Sequence, residues 1–115
     1  MRGPYLLKYL SMYVKEKRFG VFGLSGNMNT IEYISRTEND LLSGIVIAEA
    51  EGHGYEYFWF AYAESPLEAF KLECELYHEH LPVKSHVHPV PRSQNNWVCP
   101  VECCGTRANL KSEVI

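Results

Sequence analysis

The chain has 115 residues, enough for one domain with a modest core of its own. Its 11 basic and 14 acidic side chains leave a net charge of −3, so it exerts no global attraction on nucleic acid or an anionic membrane, and a phosphate ligand would need a local basic patch. No run approaches the roughly 20 apolar residues of a membrane span, and the start lacks the basic and apolar regions of a secretory signal, so a cytoplasmic protein without membrane attachment is expected.

From Pro4 to Lys17, Leu6, Leu7, Leu10, Tyr13 and Val14 recur at helical spacing, which predicts a short amphipathic N-terminal helix within residues 1–18, docked on the domain or serving as a partner-binding arm. Lys15, Lys17 and Arg18 form the one basic cluster, placed where the macrodipole favours a solvated helix end. Phe19 to Leu24 is an apolar run of strand length. Ser25-Gly26-Asn27-Met28-Asn29 is turn chemistry, and Thr30 to Ile34 alternates as a second strand, so a hairpin is expected. Thr37, with Asp40 three positions on, predicts the start of a helix that buries Leu41, Leu42, Ile45, Val46 and Ala48 and ends at Gly52 and Gly54.

Tyr55 to Ala63 carries large apolar groups at both parities, Phe58, Phe60 and Tyr62 against Tyr57, Trp59 and Ala61, as a central strand covered on both faces requires. Ser65, Pro66 and Glu68 then form the signature of a helix start, a cap, a proline at the first position and an acid three residues after the cap. On that helix Leu67, Ala69, Phe70, Leu72, Cys74, Leu76, Tyr77 and Leu81 share a broad apolar arc, and Glu73 falls inside it. A carboxylate in that position needs a cation, hydrogen bonds or a metal, because burial without a partner costs roughly several kcal/mol. The pattern as a whole predicts an α+β domain over residues 19–85, a small three-stranded, mainly antiparallel sheet flanked by helices.

Beyond Leu81 the prolines Pro82, Pro89, Pro91 and Pro100 forbid regular helix. Cys74 and His78, four apart on the last helix, make a metal half-site, and Cys99 with Cys103 or Cys104 can supply the other half. A structural Zn²⁺ with three thiolates and one imidazole would tie the tail, residues 86–105, to that helix, with His86 and His88 as alternative ligands. Residues 106–115 are expected to be disordered.

Gly20-Val21-Phe22, ten intervening residues and Tyr33-Ile34-Ser35 resemble the paired tripeptides that name the GIY-YIG nuclease superfamily, and Leu72-Glu73 followed by Pro82 is similar to its metal-binding helix. Over residues 19 to 85, the resemblance implies phosphodiester hydrolysis of nucleic acid with one Mg²⁺ or Mn²⁺. Glu73 would be the metal ligand, Tyr33 would line the site and Arg36, just after the second tripeptide, would grip phosphate. The resemblance is to a degenerate member: Phe22 stands where the first Tyr is expected and has no hydroxyl, and Ser43 or Gly44 stands where a helix Arg is expected. Losing one charge-stabilising donor costs on the order of a hundredfold to a thousandfold in rate. A weak or divergent nuclease is therefore one expectation, and an inactive module that binds nucleic acid or a protein partner is the other.

Overall fold

Phe58 and Phe60 press on one layer and Trp59 on another, so the strand that carries them, Tyr57–Tyr62, has to lie inside the sheet with both backbone edges paired. A computed structural model describes residues 1–37, 39–51, 54–79 and 100. Its strands are β1 (Arg2–Leu6), β2 (Gly20–Ser25), β3 (Tyr33–Thr37) and β4 (Tyr57–Tyr62); its helices are α1 (Leu10–Tyr13), α2 (Leu41–Ala50) and α3 (Pro66–Glu79), with a single 3₁₀ turn at Leu7–Tyr9. The sheet runs β1-β4-β2-β3 and every neighbouring pair is antiparallel. The described residues thus form an α+β domain with four strands, one more than the sequence pattern predicts.

The extra strand replaces the expected N-terminal helix. Arg2–Leu6 pairs with β4 and Leu7 donates its amide to the carbonyl of Glu56, so the outer edge of β4 is satisfied by the segment whose apolar spacing mimics a helical repeat. Helical structure is confined to the turn after it, where Leu7, Leu10 and Val14 still enter the core. Gly3 sits at φ 128, where an added Cβ would lie 2.7 Å from the Phe58 carbonyl oxygen, and the pairing register shifts between Arg2 and Tyr5. Pro4 is tolerated here because this is an edge strand.

The hairpin forms with a later ladder than expected. Asn27 accepts hydrogen bonds from the amides of Asn29 (2.8 Å) and Thr30 (2.9 Å), holding Thr30 in the turn, so β3 begins at Tyr33 instead of Thr30. Ser25 donates to Glu32 across the same turn. The cap of α2 is Asp40, not Thr37. Asp40 accepts from the Ser43 amide and hydroxyl, both at 3.0 Å, while Thr37 remains in β3 and donates to the Asp40 carbonyl. The start of α3 follows its signature: Ser65 accepts from the Glu68 amide, and the Glu68 carboxylate reaches back to the amide of Glu64.

Two apolar layers result. On one face of the sheet Phe22, Leu24, Phe58 and Phe60 pack with Leu7, Leu10, Val14 and the α2 residues Leu41, Ile45 and Ala48. On the other face Val21, Ile34, Trp59 and Ala63 meet α3 through Ala69, Leu72, Leu76 and Tyr77. Val46, expected inside, is 49% exposed, and Ile47 beside it 64%.

Candidate functional site

Strand parity decides which side chains of the hairpin can meet α3. Residues paired across an antiparallel ladder share a face, so the register Val21↔Arg36 and Gly23↔Ile34 directs Ile34 and Arg36 toward α3, and Leu24↔Tyr33 directs Tyr33 toward α2. On α3, the apolar arc that buries Phe70 and Cys74 also carries Glu73 inward to 8% exposure.

Arg36 and Glu73 meet there. The guanidinium Nη1 donates to the carboxylate at 2.6 Å, and the two side chains are 13% and 11% exposed. The Phe70 ring lies 5.2 Å from the guanidinium carbon, adding a cation–π contact. Burial raises the Glu73 carboxyl above its ordinary pKa, and the hydrogen bond and charge of Arg36 pull it back without cancelling that rise. The buried acid read from the helical wheel is therefore answered by a cation, one of the three solutions that the sequence allows.

Phe22 and Tyr33 lie on the opposite face, their ring centroids 6.3 Å apart, and the Tyr55 ring also lies 6.3 Å from Tyr33. Burial, and next the charge of Glu51, push the Tyr33 phenol up, so it is held protonated. An added Cβ at Gly44 would lie 3.7 Å from the Phe22 ring, so of the two α2 positions where the resemblance expects an Arg, Ser43 and Gly44, the second adjoins this layer. The structure thus brings together Arg36 with Glu73, and Phe22 with Tyr33, and places the sheet between the two pairs.

Comparison with protein-family models, with curated proteins and with solved structures finds no match. Among the described residues no helix is long and apolar enough to cross a membrane.

Glu73 is the residue expected to hold a divalent cation. Its carboxylate is bonded to a guanidinium, and among the described residues no three His, Cys, Asp or Glu side chains gather where they could hold one metal ion. Of the expected zinc ligands, Cys74 is fully buried in the α3 interface, and His78 has its ring edge-on to Tyr77 at 5.4 Å. Cys99, Cys103, Cys104, His86 and His88 lie outside the described residues, as do the tail 86–105 apart from Pro100 and residues 106–115.

Phe70 is the site residue that sequence reasoning missed, because an aromatic on an apolar helix arc reads as ordinary core. The pairing of Arg36 left a signal in the sequence: Arg36 shares strand parity with the apolar Ile34, whereas Tyr33 does not.

Proposed function

We propose that the chain is a GIY-YIG-like domain that binds a macromolecular partner and does not cleave nucleic acid. The order of hairpin, helix, central strand and helix supports the architectural part of this reading. The observation that carries the functional part is the state of Glu73: its carboxylate is held at 2.6 Å by Arg36 under the ring of Phe70, on the face of the sheet opposite Phe22 and Tyr33. Phosphodiester hydrolysis of the expected kind needs an acid free to hold a cation, a phosphate-gripping Arg and a group that activates water within reach of one phosphorus. Here the acid and the Arg neutralise each other, and the position of the activating hydroxyl is a phenylalanine turned toward α2. A cytoplasmic location belongs to the same reading.

The test is a cleavage assay on linear and branched DNA and on RNA, with Mg²⁺ and with Mn²⁺, comparing wild type with Glu73→Ala. The expected outcome is no cleavage by either protein. Cleavage by wild type that Glu73→Ala abolishes would overturn the proposal and establish a metal-dependent nuclease.

A further inference from the structure

Charge is distributed unevenly along this acidic chain. Five of its 11 basic residues, Arg2, Lys8, Lys15, Lys17 and Arg18, fall within the first eighteen positions, where Glu16 is the sole acid; the remaining 97 residues hold six basic and 13 acidic side chains. β1 joins the edge of the sheet, and the segment after it folds back along β1 and β4, with Tyr13 against Tyr5 and the Glu16 amide donating to the Tyr62 hydroxyl. Arg18 is neutralised there by Glu64 at 2.9 Å and Glu16 at 3.5 Å. Arg2, Lys8, Lys15 and Lys17 are exposed and, among the described residues, take part in no ion pair.

Interleaved with these cations are four of the seven exposed large hydrophobic side chains of the described residues: Met1 at 46%, Tyr9 at 43%, Met12 at 61% and Tyr13 at 40%. A surface that mixes cations outside ion pairs with exposed Met and Tyr complements a partner carrying both negative charge and apolar side chains. We infer that the β1–α1 surface, Arg2, Lys8, Tyr9, Met12, Tyr13 and Lys15, docks an acidic protein segment that interleaves carboxylates with apolar residues. This inference rests on the binding-module reading above and names the partner.

Two observations favour a peptide over a single-stranded nucleic acid. Strand binding uses free aromatic faces on which bases stack. Here Tyr13 is already stacked on Tyr5, centroids 4.0 Å apart and planes within 11°, and the Lys8 ammonium sits 5.1 Å from the centre of the Tyr9 ring. One face of each ring is thus occupied, and the exposed methionine thioethers beside them suit aliphatic side chains. In addition, the excess of acid elsewhere on the chain repels a long polyanion, whereas a short acidic segment contacts the cationic surface alone.

The test uses fluorescence anisotropy with the full chain and three labelled probes: a peptide of repeated Glu-Leu units, the same peptide with Gln for Glu, and an oligothymidylate. The Glu-Leu peptide is expected to bind, with affinity falling at least about tenfold from low to high salt because the attraction is between exposed charges. The double variant Lys8→Glu/Lys15→Glu and the double variant Tyr9→Ser/Met12→Ser are each expected to weaken binding about tenfold or more. All four side chains are exposed, so both variants keep the wild-type circular dichroism spectrum. Equal binding of the Gln peptide, preference for the oligothymidylate, or no binding of any probe would each overturn the inference. Glu73-dependent cleavage in the nuclease assay would overturn the non-catalytic reading and leave the peptide result standing, so the two failures are distinguishable.

Discussion

Replacing Arg36 by methionine removes the charge that answers Glu73 while keeping much of the aliphatic stem that packs under Phe70. With side chains only 13% and 11% exposed, the pair behaves as a buried one, for which loss of a single partner costs about 3–5 kcal/mol because the other charge is stranded. Against a typical total stability of about 5–15 kcal/mol, such a loss is easily seen in urea unfolding followed by far-UV circular dichroism. The double variant Arg36→Met/Glu73→Leu removes both charges of this pair together and is expected to be closer to wild type than Arg36→Met alone. The pH dependence has a defined sign. Burial raises the Glu73 carboxyl in the folded state, so its contribution is fully favourable below the ordinary glutamate value and declines as pH rises through the raised one. Without Arg36 the folded value rises further, so the deficit of Arg36→Met is greatest at neutral pH and narrows as acid neutralises Glu73. A loss below about 1 kcal/mol at neutral pH, or a deficit that does not change with pH, would refute the account of Glu73 as a buried acid held by Arg36.

Two further outcomes test the frame around this site. Gly20→Ala in β2 places a Cβ 2.4 Å from the Ala61 carbonyl oxygen and 2.6 Å from Leu41, and because the first obstacle is backbone, thermal unfolding should reveal a loss of roughly 1–3 kcal/mol; an unchanged midpoint would mean that β2 and β4 part more easily than their register implies. Asp40→Ala removes the cap of α2. The hydrogen bonds from Ser43 hold the Asp40 carboxyl below its ordinary pKa, so the cap's contribution is present above the ordinary aspartate value and fades as pH falls through the lowered one. The variant should therefore melt below wild type at neutral pH and converge with it in acid, and parallel curves at all pH values would show that the charge is irrelevant to the cap.

Much of the candidate site was legible because its signals are local. Glu73 on an apolar arc requires a partner whatever the fold, and the arc is fixed by the 3.6-residue period of a helix whose start is written in Ser65, Pro66 and Glu68. The alternation around Trp59 likewise specifies a strand covered on both faces. The identity of the partner was less accessible, since it depends on where β3 begins, and that is set by the Asn27 side chain holding Thr30 in the turn.

The amino-acid sequence by itself determined the hairpin, the two long helices, the central strand and the presence of a buried acid, because each follows from period, capping or turn chemistry within about a dozen residues. Only the tertiary structure decided that Arg2–Leu6 is a strand, since the open edge of β4 that recruits it lies more than fifty positions away and overrides a helical pattern in the apolar residues. It also decided that Arg36 and Glu73 meet while Phe22 and Tyr33 are turned from them. A pleated strand sends neighbouring side chains to opposite faces, so residues adjacent in a motif are separated by the thickness of the sheet once the register is set.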